Sequence, residues 1–237
     1  MSKLLDKLND KQKEAAMYID GPLLILAGAG SGKTRVLTYK MAYLLEEKIV
    51  KPWEILAITF TNKAAKEMKE RVETLIGESG NDIWLGTFHS VCVRILKREI
   101  ELLGYSRDFN IFDELDKDKV IKEVVKKLNV DDKSYPTSLI KYEISHAKDS
   151  MIDYKKYASN AAGDFRKEQI AKIYELYQKT LISNNAIDFD DILMLTVKLF
   201  LENPDRLSYY QSKFKYILVD EYQDTNKVQF LLISLLS

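Results

Sequence analysis

Four short apolar runs stand out along the chain. They are LLILAGA at 23–29, ILAITF at 55–60, IWLGTF at 83–88 and YILVDEY at 216–222. Runs of this length are typical of buried strands, and the stretches between the first three repeat apolar positions at helical spacing. Strands that alternate with helices predict βαβ units and a parallel sheet, so we expect an α/β fold.

Helical periodicity is clearest at residues 62–76, where apolar side chains recur on one face. Thr61 is placed to cap the start of this helix, and Gly77 is placed to end it. A further helix is predicted over 90–103, and Gly104 closes it in the same way.

The pattern changes between about 105 and 186, where helical periodicity continues and no convincing strand is found. The helical stretches are 116–128, 137–147 and 165–183, and the connections at 129–136 and 148–154 carry turn residues. Strand and helix alternation resumes near Asp188. We therefore expect a sheet domain formed by 1–106 and 187–237, interrupted by an all-helical subdomain at 107–186.

Composition narrows the class of protein without naming a partner. The 237 residues are 46% apolar and 30% charged, which is typical of a soluble globular chain. The formal net charge of zero neither indicates nor excludes nucleic acid, because a basic groove is compatible with a neutral total. The single cysteine, Cys92, excludes an intramolecular disulfide and predicts a reducing, cytoplasmic setting with a buried thiol. No run reaches the roughly 18 apolar residues of a membrane span, and MSKLLDKLND has no signal-peptide pattern.

The segment AGAGSGKT at 27–34 predicts a phosphate-binding loop between a strand and a helix. Ala27 stands where the usual pattern has glycine. Lys33 is expected to reach the β- and γ-phosphates, and the Thr34 hydroxyl is expected to bind Mg²⁺. The residues expected to wrap the phosphates with their backbone are Gly28, Ala29, Gly30, Ser31 and Gly32. The alternative is a glycine-rich turn that binds nothing.

Two adjacent carboxylates, Asp220 and Glu221, follow the last apolar run. A phosphate loop needs a second metal-side residue, and we assign that role to Asp220. Glu221 would orient and deprotonate the attacking water. The alternative is that the pair only caps a following helix.

Several motifs together resemble superfamily 1A DNA helicases of the Rep/UvrD/PcrA type, closest to the bacterial PcrA/UvrD branch. In chain order they are LNDKQKEAA, AGAGSGKTRVL, ITFTNKAAKEMKERV, GTFHSVCVRIL, DFDDIL and DEYQDTN. The resemblance covers essentially the whole chain. It implies a RecA-like P-loop NTPase domain (1A) with a helical inserted subdomain (1B), and it implies ATP and Mg²⁺ as cofactors.

The resemblance also implies nucleotide contacts outside the loop. Gln12 matches the glutamine that reads adenine, although its spacing from Asn9 is equally that of a capping box. Arg35 matches a position near the nucleotide, and its alternative is an exposed helix residue.

Two further motifs match segments that contact single-stranded DNA in the family. The residues carried over are Phe60, Thr61, Asn62 and Lys63 from the first motif and Thr87, Phe88, His89 and Ser90 from the second. Aromatic stacking with phosphate contacts is how sequence-tolerant strand binding works. The alternatives are a core role for Phe60, a solvated charge for Lys63 and a structural role for His89.

The acidic motif DFDDIL contains Asp188, Asp190 and Asp191. These residues either cap a helix or line the site, and we expect the cap because the phosphate loop already accounts for the metal.

The function expected from the resemblance is the N-terminal part of an ATP-dependent 3′-to-5′ DNA helicase in repair or replication. The expected partners are single-stranded DNA and single-strand/duplex junctions, and no membrane partner is expected. We expect the protein to be a monomer. Family members continue past DEYQDTN into motif III and a second motor domain, so we expect a fragment that is nearly inactive alone. The alternatives are a nucleotide- or strand-binding module without turnover and part of a helicase–nuclease subunit. Another P-loop enzyme is disfavoured, since a transporter ATPase needs an LSGGQ-like signature that is absent.

Overall fold

The computed structural model describes residues 3–28, 30–80 and 82–237. The chain forms two compact units. The first contains Met1–Val91, Leu207–Thr225 and Leu236–Ser237, and the second contains Cys92–Arg206 and Asn226–Leu235. The domain boundaries predicted from the sequence, 106/107 and 186/187, follow the change from alternating strands and helices to helices alone. The two units are instead defined by their compactness, so the predicted boundaries stay a prediction.

The described residues contain eleven α-helices and five strands. The helices are α1 (Asp10–Met17), α2 (Lys33–Glu46), α3 (Asn62–Ile76), α4 (Phe88–Glu99), α5 (Glu114–Lys127), α6 (Thr137–Asp149), α7 (Tyr154–Asn160), α8 (Phe165–Ser183), α9 (Phe189–Glu202), α10 (Pro204–Lys213) and α11 (Lys227–Leu236). The strands are β1 (Ile55–Thr59), β2 (Trp84–Thr87), β3 (Asn110–Phe112), β4 (Ala186–Asp188) and β5 (Tyr216–Val219). No helix in this part of the chain combines the length and hydropathy that crossing a bilayer requires.

The first unit is organised around a parallel sheet. Its strand order is β2-β1-β5, with Leu56 opposite both Trp84 and Ile217. All five residues of the central strand β1 are buried, as expected for a parallel strand covered on both faces. The packed core on the sheet consists of Met41, Leu44, Val50, Ile55, Ala57, Met68, Val72, Ile83 and Leu218. The prediction of an α/β fold with a parallel sheet is confirmed.

The strand predicted at 23–29 is wrong for the described residues of that run. Residues 23–28 have no regular secondary structure, and Leu26 is 85% exposed. The apolar pattern predicts burial, but pairing also needs a partner strand, and that requirement cannot be read from a local run. Ala29 lies outside the described residues.

Helix ends follow local chemistry closely. The Oγ1 of Thr61 accepts a hydrogen bond from the backbone N–H of Ala64 at 3.1 Å, and Gly77 follows α3 with a φ of 67°. Both helix-end predictions for 62–76 are confirmed. The helix predicted at 90–103 begins earlier, at Phe88, because the strand before it ends at Thr87.

The second unit has a core built by its helices, with a short parallel pair of strands, β3 and β4. The core contains Val120, Ile121, Val124, Val125, Ile140, Ile144, Ala147, Ile173, Tyr174, Tyr177, Leu181 and Ala186. The expectation of no strand within 105–186 is wrong, since β3 occupies Asn110–Phe112. Three residues that are half-buried or exposed are too short a run to show strand alternation. Cys92 is fully buried as predicted, and burial raises the pKa of its thiol to about 12.

Candidate functional site

The loop before α2 turns sharply, and its backbone is open on one side. Gly30 and Gly32 have φ values of 74° and 88°, a region that residues with a Cβ rarely adopt. A Cβ placed on Gly28 or Gly30 would meet no described atom within 4 Å. The helix begins directly afterwards, at Lys33, so its N-terminal N–H groups are close to this open face. The loop therefore has the form that an anion requires.

Lys33 turns back over the loop. Its Nζ donates hydrogen bonds to the carbonyl oxygens of Ala27 at 2.9 Å and Gly28 at 3.2 Å. The hydroxyl of Ser31 also donates to Gly28, at 2.7 Å. The ammonium is held by backbone carbonyls of the loop, which a phosphate oxygen can replace. The role of Lys33 toward the phosphates stays a prediction.

The two residues predicted to bind the metal lie together. The Oγ1 of Thr34 donates a hydrogen bond to Oδ2 of Asp220 at 2.9 Å. Asp220 follows β5, and its N–H continues the sheet by donating to the carbonyl of Ile58 at 2.9 Å. The carboxylate is buried, with 6% of the residue exposed. A hydroxyl and a carboxylate are hard oxygen donors of the kind that Mg²⁺ prefers, so this pair fits the ion that the motif implies.

Glu221 has a strained backbone. Its φ of 52° and ψ of 42° place a non-glycine residue in the left-handed region, which costs roughly 1–2 kcal/mol. Its side chain is exposed, and Gln223 Nε2 donates to its Oε2 at 2.5 Å. The turn thus presents a carboxylate beside Asp220, with its orientation set by a neighbouring amide. Sequence reasoning missed Gln223, whose signal was its position two residues after the acid in DEYQDTN.

A cleft of about 320 Å³ in the first unit joins the acidic pair to the segment after β1. Its lining residues are Thr34, Thr59, Phe60, Thr61, Ala64, Glu67, Arg71, Asp220 and Glu221. Glu67 and Arg71 were not predicted; they form an ion pair of 3.7 Å one helical turn apart. The cleft brings together residues from the start of α2, from the end of β1, from α3 and from the turn after β5.

Gln12 has the helix-capping role that its spacing from Asn9 allows, and its reading of adenine stays a prediction. It forms a capping box with Asn9: the backbone N–H of Gln12 donates to Oδ1 of Asn9 at 2.9 Å, and the backbone N–H of Asn9 donates to Oε1 of Gln12 at 3.1 Å. Its Nε2 also donates to the carbonyl of Ser31 in the loop at 3.0 Å. Arg35 is exposed in α2, where its Nη2 donates to the carbonyl of Lys7 at 2.7 Å and its guanidinium lies 5.5 Å from the Tyr39 ring centroid, and its place near the nucleotide stays a prediction. Both side chains are tied to the loop or to its neighbours.

The first predicted strand-binding motif lies along the entrance to α3. Phe60 is half-buried, and its ring meets that of Phe88 edge to face at 5.5 Å between centroids. Thr61, Asn62 and Lys63 are exposed around the helix N-terminus. An accessible ring beside exposed polar groups and N–H donors is what strand binding uses.

The second predicted motif lies at the start of α4. Phe88 is buried, with 1% exposed, so Phe60 is the more accessible of the two rings. The Oγ1 of Thr87 accepts from the N–H of Ser90 at 3.2 Å, and the Ser90 hydroxyl donates to the Thr87 carbonyl at 2.9 Å. His89 is half-buried. These contacts order the first turn of the helix behind the Phe60 ring.

The acidic motif DFDDIL lies in the second unit. Asp188 is the N-cap of α9 and forms a capping box with Asp191, so the cap prediction is confirmed for Asp188. Lys148 bridges both carboxylates at 2.7 and 2.8 Å, and Lys117 pairs with Asp190 at 2.6 Å. Among the described residues, no group of three or more histidine, cysteine or acidic side chains is arranged to hold a metal. Sequence reasoning missed both lysines because each is distant in sequence from its partner.

The buried charges shift each other's ionisation in opposite directions. Burial opposes the charge of Asp188, but Lys148 and Lys117 outweigh it and hold the pKa of that carboxyl below its usual range. Burial and the neighbouring charge of Asp188 raise the pKa of Asp191. The hydroxyl of Tyr177 also donates to Asp188, at 2.8 Å. The network therefore sets two lysines against three carboxylates inside this unit.

Comparison with known proteins gives one family. The family model described as the UvrD/REP helicase N-terminal domain matches residues 8–237. The chain is 51% identical over 236 residues to the ATP-dependent DNA helicase PcrA of Bacillus subtilis (strain 168). It is 52% identical over 237 residues to the protein of that name from Staphylococcus epidermidis (strain RP62A) and 50% identical to that from Staphylococcus aureus (strain NCTC 8325). Each match covers 100% of this chain and 32% of the relative, so the chain spans about a third of the length of these curated relatives.

Proposed function

This chain belongs to the UvrD/REP helicase N-terminal domain family, whose fold is RecA-like, and we propose that it forms the ATP- and single-stranded-DNA-binding part of an ATP-dependent 3′-to-5′ DNA helicase or translocase. The observation that carries the proposal is the hydrogen bond of 2.9 Å between Thr34 and Asp220, beside an open phosphate loop. The pathway would be DNA repair or replication. Cytoplasmic location and a monomeric state stay predictions.

Lys33 and the loop hold the phosphates in this proposal. The carbonyls of Ala27 and Gly28 now accept from Lys33 Nζ, and phosphate oxygens would take their place. The backbone around Gly30 and Gly32 and the N-terminus of α2 add N–H donors and a favourable dipole. Gln12 and Arg35 lie at the same end of the unit, where Gln12 would recognise adenine.

Thr34 and Asp220 would hold Mg²⁺, directly or through its water shell. Mg²⁺ keeps several waters and takes few protein ligands, so a pair of oxygen donors is sufficient. When bound, the ion would offset the negative charge of the phosphate oxygens. The side chains themselves need only small movements, because they already meet.

Glu221 would orient the attacking water and accept its proton. A general base must lie within hydrogen-bond reach of the water and keep one oxygen free. Gln223 donates to Oε2 of Glu221, so Oε1 is the oxygen that would accept the proton, and Glu221 lines the cleft together with Asp220 and Thr34. The strained turn at Glu221 is consistent with this use, since strained backbone clusters at functional sites.

Single-stranded DNA would bind along Phe60, Thr61, Asn62 and Lys63. Stacking on Phe60 would give sequence-tolerant affinity, and the N-terminus of α3 would contact a phosphate. The first turn of α4, with Thr87, Phe88 and His89, would support that surface. Because the lining of the cleft includes both Phe60 and Asp220, strand binding and nucleotide chemistry would share one wall.

The experiment that tests strand binding uses labelled oligo-dT and an equal length of duplex, with fluorescence anisotropy as the readout. We expect the 237-residue chain to prefer oligo-dT and to lose affinity as salt rises, because phosphate contacts release counterions. Equal affinity for duplex, or no binding at low salt, would contradict the proposal. The same anisotropy titration with a labelled single-strand/duplex junction tests whether the chain also binds junctions.

Hydrolysis by the 237-residue chain is expected to be slow. Family motors take arginines from a second motor domain, and removing such an arginine costs ~10³–10⁵ in rate. The only described arginine lining the cleft is Arg71, which pairs with Glu67. Steady-state turnover is measured with and without oligo-dT, and Glu221→Gln reports contaminating activity. Binding without turnover is the alternative that these measurements distinguish, and a place in a helicase–nuclease subunit is the other alternative.

A further inference from the structure

Lys40 is a buried lysine without a carboxylate partner among the ion pairs of the described residues. It lies in the middle of α2, and the residue is 5% exposed. Its Nζ donates to the carbonyl oxygen of Tyr18 and lies 3.5 Å from that of Ala15. Burial lowers its pKa from the ordinary lysine value. Burying an ammonium is costly, so its position needs a reason.

The carbonyls that Lys40 meets belong to the end of α1. The last turn of a helix leaves backbone oxygens without intrahelical partners, and a cation there is favourable. The last turn of α1 carries no basic residue, so the cation comes from α2. Eight residues form a marginal helix by themselves, and α1 depends on such tertiary contacts. Lys40 therefore fixes the C-terminal end of α1.

The same short helix carries Gln12. Near the N-terminal end of α1, away from the contact with Lys40, Gln12 Nε2 donates to the carbonyl of Ser31 in the phosphate loop at 3.0 Å. The loop leads directly into α2, which begins at Lys33 and contains Lys40 seven residues later. Apolar packing of Ala16 with Val36 and Tyr39 joins the helices between these two polar contacts. Lys40 and Gln12 thus hold α1 at its two ends.

We propose that Lys40 is a positioning residue for recognition of the nucleotide base, which sets the place of Gln12 over the phosphate loop by anchoring the end of α1. Lys40 does not touch the nucleotide in this account. Its loss would let α1 shift while the loop and the start of α2 stay in place. The inference rests on the proposed function, because it takes Gln12 as the residue that reads adenine.

The test measures base preference, which a merely structural role would not change. Fluorescent ADP and GDP are each titrated with Mg²⁺ into the 237-residue chain, and the ratio of the two Kd values is the readout. Lys40→Met should reduce the preference for ADP by roughly three- to tenfold, the range of one lost hydrogen bond. Lys40→Arg should retain most of it. Lys13→Met is the matched control, because Lys13 lies on the same helix and its side chain forms no hydrogen bond or ion pair with the described residues, and it should leave the ratio unchanged.

Magnesium tripolyphosphate separates positioning from collapse of the loop. Its affinity should be unchanged in Lys40→Met, because the compound has no base. Equal weakening of ADP, GDP and tripolyphosphate would overturn the inference, and so would an unchanged ratio. If Lys40→Met shows no cooperative melting, Lys40→Gln is judged by the same ratio.

Gln12→Ala distinguishes failure of this inference from failure of the proposed function. Loss of base preference in Gln12→Ala with an unchanged ratio in Lys40→Met overturns only the role of Lys40. No base preference in the wild-type chain, or an unchanged ratio in Gln12→Ala, overturns base reading by Gln12 and the role of Lys40 together.

Discussion

The hydroxyl of Thr34 donates to the carboxylate of Asp220 at 2.9 Å, across a separation of 186 residues. One residue opens α2, and the other follows β5. Asp220 lies at the carboxyl edge of the parallel sheet, because β5 ends at Val219. The Thr34 hydroxyl reaches this carboxylate from the first turn of α2, so the fold builds a two-oxygen site from the two segments that the sequence singled out separately.

Asp220→Asn tests this relationship. The substitution keeps the shape of the side chain and its hydrogen bond with Thr34 but removes the negative charge that a divalent cation requires. We expect affinity for ATP in the presence of Mg²⁺ to fall by roughly tenfold or more, and affinity in EDTA to change little. Asp224→Asn, an exposed carboxylate in the same turn, is the control. An equal loss of Mg²⁺–ATP affinity in both variants would show that the effect comes from negative charge near the loop and not from the position of Asp220.

Lys33→Ala tests whether the lysine serves a ligand rather than the core. Lys33 Nζ contacts only loop carbonyls in the hydrogen bonds described above, and these are exposed. We expect the free energy of unfolding without nucleotide to change by less than about 1 kcal/mol, as is usual for exposed sites. Chemical denaturation followed by circular dichroism measures it. A large loss of stability would refute the assignment.

Phe60→Ala tests the strand surface. Base stacking on an aromatic ring contributes about 1–3 kcal/mol, so oligo-dT affinity should fall by roughly five- to a hundredfold. Because Phe60 also packs against Phe88, Phe60→Ala is also expected to lower the stability of the fold. Phe60→Trp is therefore compared with Phe60→Ala: it keeps an aromatic ring and should preserve oligo-dT binding. Full binding by Phe60→Ala would place the strand elsewhere.

The buried network of the second unit predicts a pH dependence. The pKa of Asp191 is raised in the folded chain, so the folded state binds this proton more readily than the unfolded state. The contribution of Asp191 to stability is therefore full below its unfolded pKa near 4 and is lost as pH rises through the higher folded value. Asp188, whose pKa is lowered, contributes stability that is lost only below about pH 4.

Asp191→Asn isolates that contribution. Relative to this variant, the wild-type chain should gain roughly 1–2 kcal/mol as pH falls from 7 to about 4. Urea denaturation at several pH values measures the difference, and Asp132→Asn, at an exposed carboxyl, controls for surface charge. A difference that is constant with pH, or that grows toward neutral pH, would contradict the ionisation described for Asp191.

Local chemistry accounts for what the sequence predicted well. The helix at 62–76 has its cap at Thr61 and its terminating Gly77, and 165–183 matches α8 at both ends. The phosphate loop and acid pair were found because each is a contiguous motif. A strand was wrongly predicted at 23–28, and β3 was not predicted, because strand pairing depends on partners distant in the chain. The contacts of Lys148, Lys117 and Lys40 were missed for a related reason: the sequence alone predicts that a lysine in a helix is exposed to solvent, and its buried partners lie on other elements.

Calorimetric titration of Mg²⁺–ATP into the 237-residue chain, with Lys33→Ala in parallel, tests whether the loop, Thr34 and Asp220 form a nucleotide–metal site. We expect saturable binding at one site that requires Mg²⁺ and is lost in Lys33→Ala, while the variant remains folded. Binding that is absent from the wild-type chain, or that is equal in the two proteins, would contradict the assignment of the loop, Thr34 and Asp220 as a nucleotide–metal site.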